Sequence, residues 1–173
     1  MLIRLATLAD LPALHPVIER AYRGDSARAG WTFESDLLTG PRTDIATLSA
    51  ILASPTDRLL LALDADAAPI GCVQITNRGD ALAYLGLLCI DPLRQSSGLG
   101  RRLIAAAEDH AARLFAAQIM EMTVIDSRAE LIAWYARRGY ALTPEKRPFP
   151  IPLDPSLQMV VLAKRLASGN DLG

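Results

Sequence analysis

The sequence has 173 residues, of which 51% are hydrophobic, and its formal net charge at neutral pH is −1. This length fits one core better than two, so we predict a single domain over residues 1–166 and a flexible tail over residues 167–173. The balanced charge gives no broad field for nucleic acid or an anionic membrane, and no apolar run reaches the roughly 20 residues of a membrane span. The first residues also lack the basic-then-apolar layout of a signal peptide, so we expect a cytoplasmic protein that binds neither nucleic acid nor membrane.

The N-terminal part of the chain predicts one strand followed by two helices. Thr7 and Asp10 have the spacing of a helix start, and apolar residues then recur at helical spacing. Pro16 falls inside this pattern and lacks a backbone donor, so we expect a kink or an early break of the first helix there. The predicted bounds are a strand at 2–6, a helix from 7 to about 24 and a helix at 43–54.

The middle of the chain predicts an antiparallel meander and then a parallel crossover. Turn-forming residues separate three strand-like runs at 58–63, 70–76 and 82–90. An amphipathic helix at 98–115 leads to a strand at 118–125, and the order strand, helix, strand implies a parallel pair.

The C-terminal part predicts a short helix and two closing strands. Ser127 and Glu130 have the spacing of a capping box at the helix start, and Gly139 suits its end. Strands are expected at 140–142 and 157–166, and the proline-rich segment between them must be loop or extended.

The cysteines and histidines do not form the pattern of a metal site. Cys72 and Cys89 lie in strand-like apolar runs, where buried thiols are the expected state in a reducing compartment. His15 and His110 are far apart and have no second ligand at metal-binding spacing, so we expect no metal.

The most specific feature is the stretch 88–102, in which an apolar strand leads through small residues into a helix. Backbone N–H groups at a helix N-terminus lack intrahelical partners and lie at the positive end of the helix dipole, so this layout suits a diphosphate. The P-loop pattern fails because no Gly-Lys-Ser/Thr closes it, and the dinucleotide pattern fails because Leu103 stands in place of the third glycine. The alternative is a tight turn whose glycines allow close packing.

The whole arrangement resembles the GCN5-related N-acetyltransferase family, whose core motif is Gln/Arg-x-x-Gly-x-Gly/Ala after a strand that commonly ends in an x-Pro step. The stretch Gln95-Ser96-Ser97-Gly98-Leu99-Gly100, preceded by Ile90-Asp91-Pro92, matches this motif at each position. The order of predicted elements agrees along most of the chain. The resemblance implies a single-domain α/β (α+β) fold, with a mixed central sheet of about six to seven strands and helices on both faces.

The resemblance also implies how the expected co-substrate, acetyl-CoA, is held. The strands that end near Ile90 and Ile125 would part and admit the pantetheine arm between them. Backbone groups of one strand would bind that arm, and N–H groups of the following turn would bind the diphosphate. The strand residues are Leu88, Cys89 and Ile90, and the turn residues are Gln95, Ser96, Ser97, Gly98 and Gly100, with Arg101 nearby.

A second motif of the family, Asn-x-x-Ala-x-x-x-Tyr-x-x-x-Gly-Phe/Tyr, matches at Tyr135, Gly139 and Tyr140. Arg128 stands in place of the usual Asn, and Leu131 in place of the usual Ala. By resemblance, Tyr135 is the general acid that protonates the leaving CoA thiolate. The alternative is an ordinary core residue on an apolar helix face.

Acceptor recognition is expected from residues 22–42 and from the proline-rich segment, which would cover the mouth of the cleft. Glu34 or Asp36 would serve as the base, because an ammonium must lose a proton before it attacks a thioester. Arginine grips carboxylates bidentately and would clamp an acidic group of the acceptor. The candidates for binding are Arg23, Arg28, Trp31 and Arg42, and the alternative is that these charged residues belong to a solvated surface loop.

The sequence therefore predicts an N-acetyltransferase that moves an acetyl group to a primary amine of a small molecule or peptide by direct attack in a ternary complex. A non-catalytic acyl-CoA-binding sensor is the alternative, since it would keep the glycine turn without needing Tyr135. The acceptor is not determined by the sequence, and an apolar C-terminal strand is compatible with a homodimer.

Overall fold

A computed structural model describes residues 1–22, 42–150 and 152–167, with the backbone alone at 95–97. One seven-stranded sheet runs through its centre. The strands are β1 Leu2–Leu5, β2 Asp57–Leu63, β3 Pro69–Gly79, β4 Leu82–Ile90, β5 Ile119–Ile125, β6 Ala141–Pro148 and β7 Gln158–Arg165. The helices are α1 Leu11–Tyr22, α2 Ile45–Ala53, α3 Leu99–Phe115 and α4 Ala129–Ala136, with 3-10 turns at Leu8–Asp10 and Pro92–Ser97.

The sheet order is β1-β2-β3-β4-β5-β7-β6, and β4 with β5 is its one parallel pair within the described ranges. The antiparallel meander and the parallel crossover through α3 are thus confirmed. β7 is an inner strand between β5 and β6, so the apolar C-terminal strand is used inside the sheet and leaves β6 at the edge.

The helices cover both faces of the sheet, as expected, and alternate residues of β2 show how the two layers form. Leu60 and Ala62 face the core beneath α3 and α4, whereas Leu59 and Leu61 face the core beneath α1 and α2. This alternation follows from the two-residue period of a strand. Among the described residues no helix is both long and apolar enough to cross a membrane.

Helix α1 continues through Pro16 to Tyr22, so the expected early break is wrong. Its buried face, which includes Leu14, Val17 and Ile18, packs in one core with strands β2 to β4. Burial of several large side chains is worth more than the one backbone hydrogen bond that a proline removes.

Helix α4 begins one residue later than the capping-box prediction. Its N-cap is Arg128, whose side chain makes no capping bond, and not Ser127. The Arg128 N–H donates to the Ile125 carbonyl at 3.0 Å, which closes a turn after β5 and places Ser127 inside that turn. The capping-box prediction was therefore wrong.

Strand β6 is longer than the predicted 140–142 and includes Pro144 and Pro148. It pairs with β7 on one side only, and its register shifts between Leu142 and Lys146. Edge strands and bulges are where a sheet tolerates proline, because the missing N–H is not needed for a second ladder.

Candidate active site

The two parallel strands at the centre of the sheet part towards their carboxyl ends. Pairing of β4 with β5 covers Leu82–Tyr84 and Ile119–Glu121, and the rest of each strand lies beyond that ladder. A register shift against β3 falls opposite Leu87, which has a positive φ of 45°. The strands that end at Ile90 and Ile125 thus form a cleft in the sheet, with a bulge on the β4 side.

Backbone groups at the end of β4 face in alternate directions. The Asp91 N–H donates to the Ile70 carbonyl at 2.9 Å, which extends the ladder between β3 and β4 by one residue past Ile90. Alternation in an antiparallel ladder then directs Cys89 towards Cys72 on β3 and turns the groups of Ile90 towards the cleft. The Leu88 carbonyl accepts a hydrogen bond from the Tyr22 hydroxyl at the end of α1.

The glycine turn sits directly at the end of β4, as the motif implies. Asp91 accepts a bond from the Leu93 N–H at 3.2 Å and is held by Arg20 at 2.9 Å, which fixes the start of the 3-10 turn. Gly98 is the N-cap of α3 with φ 73° and ψ 13°, a left-handed conformation that favours glycine. A Cβ built on Gly98 would meet no heavy atom within 4 Å. Gly98 and Arg101 are exposed at this helix start, whereas Leu99 and Gly100 between them are buried.

Gly100 has a different reason for being glycine. A Cβ at this position would lie 2.8 Å from Ile90 Cδ1 and 3.1 Å from Trp134 Cζ2. Gly100 therefore lets α3 pack closely against β4 and α4. At this position the structure supports the alternative given in the sequence analysis, in which a glycine of the turn allows close packing.

Tyr135 of α4 lies beneath the cleft with 5% of its surface exposed, in the apolar core that contains Leu88 and Val124. Its hydroxyl has no hydrogen-bond partner within the part of the chain that the structure describes. Burial raises the pKa of this phenol well above its usual value, and nearby Tyr84 adds to the effect, while Arg138 and Arg128 oppose it. Tyr135 is therefore a protonated donor at neutral pH.

Tyr84 and Thr123 bridge the cleft at the point where the strands separate. The Tyr84 hydroxyl and Thr123 Oγ1 are 2.6 Å apart. Tyr84 is the last β4 residue paired with β5, and Thr123 follows Glu121, the last paired residue of β5. Gly86 leaves room for the Tyr84 ring, because a Cβ there would lie 3.2 Å from Tyr84 Cε1. The sequence analysis missed this pair, since an aromatic and a threonine in two separate strands carry no local signal.

A buried carboxylate also lies near the cleft. Glu121 is the last β5 residue paired with β4, and its Oε1 is 3.1 Å from both terminal nitrogens of Arg147. Arg147 also binds Glu145 at 2.7 Å. Glu121 is thus held as an ion pair.

An open cavity of about 440 Å³ lies beside α4. Arg128 and Leu131, the two departures from the family motif, both line it. The remaining lining residues are Ser127, Ala129, Glu130, Trp134 and Arg137. One of these residues, Trp134, also packs with its ring edge against Gly100 at the start of α3.

Most of the candidate acceptor residues, namely Arg23, Arg28, Trp31, Glu34 and Asp36, lie outside the residues that the structure describes. Arg42 is described, and its guanidinium lies 5.1 Å from the centre of the Tyr22 ring. Glu19 accepts the backbone N–H groups of Arg42 and Thr43 at 2.9 to 3.0 Å, which anchors the chain as it enters α2. The Tyr22 side chain thus contacts the Arg42 guanidinium with its ring and the Leu88 carbonyl with its hydroxyl.

In the described ranges, no three His, Cys, Asp or Glu side chains converge on a common point that could hold a metal.

The sequence profile of the acetyltransferase (GNAT) family matches residues 22–140. No curated protein matches the chain at a significant level.

Several solved structures share the fold. A ribosomal-protein-alanine N-acetyltransferase from Brucella melitensis superposes with a TM-score of 0.73 at 19% identity, covering 96% of this chain and 100% of that one. Spermidine N-acetyltransferase SpeG from Vibrio cholerae, as a variant, gives 0.71 at 15% identity and covers 95% of each chain. The protein yncA from Salmonella typhimurium, with its cofactor acetyl-CoA, gives 0.69 at 18% identity and covers 100% of this chain and 98% of that one.

Proposed function

The chain belongs to the acetyltransferase (GNAT) family, and from this membership we propose that it transfers an acetyl group from acetyl-CoA to a primary amine of a small molecule or peptide. The amine nitrogen attacks the thioester carbonyl directly in a ternary complex, the carbon–sulfur bond breaks, and the products are the N-acetylated amine and the CoA thiol. The observation that carries the proposal is the parting of β4 and β5 between the glycine start of α3 and the Tyr135 phenol.

The first turn of α3 is proposed to hold the CoA diphosphate. Its N–H groups have no intrahelical acceptors, and the left-handed Gly98 leaves the approach open. The backbone of Gln95, Ser96 and Ser97 leads into this turn, and the Arg101 cation lies in it. Bound there, acetyl-CoA supplies the activated acetyl group.

The cleft between β4 and β5 is proposed to take the pantetheine arm. The backbone of Ile90 faces the cleft, and Leu88 has one carbonyl lone pair besides the one that Tyr22 uses. Cys89 pairs with β3, so in this proposal it supports the cleft wall and leaves the bonding to its two neighbours.

Tyr135 is proposed as the general acid. A CoA thiol has a pKa near the roughly 8.5 of cysteine, so its thiolate leaves fairly readily and a phenol assists by donating as charge develops on sulfur. Burial keeps Tyr135 protonated, and its hydroxyl is not engaged by another described residue. The unengaged hydroxyl distinguishes Tyr135 from an ordinary core tyrosine, whose hydroxyl would be hydrogen-bonded. Because burial raises the pKa, the assistance proposed for Tyr135 is a hydrogen bond to the developing thiolate.

The acceptor is proposed to approach from the opposite face of the sheet, where Tyr84 and Thr123 present their hydroxyls. Arg42 stacks on Tyr22 at the end of β4 on the α1 side. Arg23, Trp31 and Arg42 are the proposed acceptor-binding residues, and Glu34 the proposed base. In this arrangement the acid and the acceptor approach the thioester from different faces of the sheet, which is compatible with direct attack.

Two-substrate kinetics test this proposal. Release of the CoA thiol from acetyl-CoA is followed over a panel of primary amines that includes polyamines, amino-glycosides and peptides with a free N-terminus. For the best acceptor, initial rates with both substrates varied should give intersecting double-reciprocal lines. Parallel lines would indicate a covalent acetyl-enzyme intermediate. If no amine increased the release of the CoA thiol, the proposed reaction would be wrong.

A further inference from the structure

An excess of arginine gathers around Trp134, beside the start of α3. The Arg138 guanidinium lies 3.4 Å from the centre of the Trp134 ring, and its Nη1 donates to the Trp134 carbonyl at 2.6 Å. Arg128 and Arg137 line the cavity next to the same ring. Arg101, in the first turn of α3, is close enough for its charge to act on Arg138.

The positive charges of Arg101, Arg137 and Arg138 are poorly compensated. Within the described residues, neither Arg101, Arg137 nor Arg138 forms a salt bridge, and the buried Arg138 Nε has no acceptor. Glu130 is the one carboxylate among the residues that line the cavity. Burial and the charges of Arg137 and Arg101 lower the pKa of Arg138, which means that an anion bound there would be favoured.

The position of the cluster relates it to one particular anion. Trp134 touches Gly100 with its ring edge and Arg138 with its ring face, so the arginines lie about one indole ring from the diphosphate turn. CoA carries a second phosphate, the 3′-phosphate of its ribose, on the sugar that adjoins the diphosphate. A dianionic phosphate matches the planar fork of guanidinium groups.

We propose that Arg137 and Arg138, supported by Arg101, form a subsite for the 3′-phosphate of CoA and so make the enzyme select CoA over 3′-dephospho-CoA. Trp134 positions this subsite by holding Arg138 against its ring and by fixing α4 to α3 at Gly100. The inference rests on the proposed function, because it assumes the diphosphate at the start of α3.

Calorimetric titration with CoA and with 3′-dephospho-CoA tests the subsite. The wild-type protein should bind CoA about tenfold to a hundredfold more tightly, as expected for charge-assisted bonds to one phosphate. In Arg137→Gln the affinity for CoA should fall towards that for dephospho-CoA, while the affinity for dephospho-CoA stays within about twofold of wild type. Arg137→Lys should restore part of the preference, because it keeps the charge but not the fork.

The controls separate the possible failures. Arg113→Gln removes an arginine that is 64% exposed near the far end of α3 and should change neither affinity. Arg138→Gln should act like Arg137→Gln, and if it unfolds, Arg137→Gln alone decides. If Arg137→Gln weakens the affinities for CoA and for 3′-dephospho-CoA equally, the arginines bind the diphosphate and the proposed subsite is wrong. If it changes neither affinity, the arginines do not contact the cofactor and the proposed subsite is also wrong. A wild-type protein that binds neither ligand would overturn the proposed function itself.

Discussion

Tyr135 and Tyr140 are both buried, but their hydroxyls have different surroundings. The Tyr140 hydroxyl donates to Glu108 Oε1 at 2.8 Å, and the same carboxylate binds Lys164 at 2.8 to 2.9 Å. The two tyrosine rings meet edge to face with their centres 6.0 Å apart. Tyr140 therefore links the end of α4 to α3 and β7. The Tyr135 hydroxyl bonds no described residue and is available to donate to a ligand in the cleft.

Tyr140→Phe should lower stability and keep activity. It removes a buried hydrogen bond to a charged acceptor, which is worth about 1.5–3 kcal/mol, and Lys164 continues to neutralise Glu108. Denaturant unfolding measures the loss, and the turnover number under native conditions should match wild type. A variant with wild-type stability and reduced turnover would assign Tyr140, and not Tyr135, to the reaction.

The two glycines at the start of α3 respond to different changes. Gly98→Asp adds a carboxylate at the diphosphate turn, and Gly98→Asn is its neutral match, since Asn and Asp both tolerate the left-handed conformation better than other residues. We expect the Asp variant to bind CoA at least about tenfold more weakly than the Asn variant, because the negative charge opposes the phosphates. Calorimetric titration of the two folded variants with CoA measures this difference. Equal affinities would show that the CoA diphosphate does not bind at this turn.

Gly100 is not suitable for the same comparison. Any side chain there meets Ile90 and Trp134, so substitution combines a packing clash with its effect on the cofactor. A weakened CoA affinity in a Gly100 variant would therefore not distinguish the two causes.

At the scale of elements, those marked by periodicity and turn residues were predictable, and those set by distant contacts were not. The apolar stripe of α3 and the turns of the meander are local signals, and both elements match within a few residues. The continuation of α1 through Pro16 depends on packing against the sheet, and the length of β6 depends on its being an edge. Neither fact is contained in a short window of sequence.

The entry into α1 offers a test of an element boundary. Asp10 accepts bonds from the Thr7 N–H at 2.7 Å and from Arg4 at 2.7 and 2.8 Å. The Arg4 guanidinium lowers the pKa of this carboxyl, and the Thr7 groups add to the effect. A carboxyl with a lowered folded pKa stabilises the protein above its unfolded pKa, which is about 3.9, and loses that contribution as the pH falls.

Asp10→Asn should therefore destabilise the protein at pH 7 by about 0.5–2 kcal/mol, because it removes the charge that Arg4 and the N-cap residue Thr7 bind in this capping box. The difference from wild type should shrink as the pH falls below about 4. Urea unfolding across this pH range provides the measurement. A difference that is constant with pH would show that the ionised carboxylate is not what stabilises the start of α1.

For the whole molecule, the sequence predicted the order of elements, the mixed sheet and the family, because a contiguous motif at 95–100 marks the centre of the fold. It did not predict contacts between elements that are distant in the chain. The Tyr84–Thr123 bridge and the packing of Trp134 on Gly100 arise only when β4, β5, α3 and α4 are assembled. The acceptor side remains a proposal, since Arg23, Trp31 and Glu34 lie outside the described residues.

The central claim is acetyl transfer in the cleft between β4 and β5, with Tyr135 as the acid. The most direct measurement is the turnover number of Tyr135→Phe with the best amine acceptor, under conditions in which the chemical step limits the rate. A loss of about 10²- to 10⁴-fold is expected for removal of a positioned acid. Acetyl-CoA affinity and the unfolding midpoint should stay at wild-type values, because the ring and its packing remain.

The same assay across pH sharpens the result. The raised pKa of Tyr135 keeps the wild-type acid protonated as the pH rises, so Tyr135 should cause no fall in turnover below pH of about 10. Full turnover in Tyr135→Phe, with chemistry still rate-limiting, would contradict the account and leave the protonation of the thiolate to water or to another group.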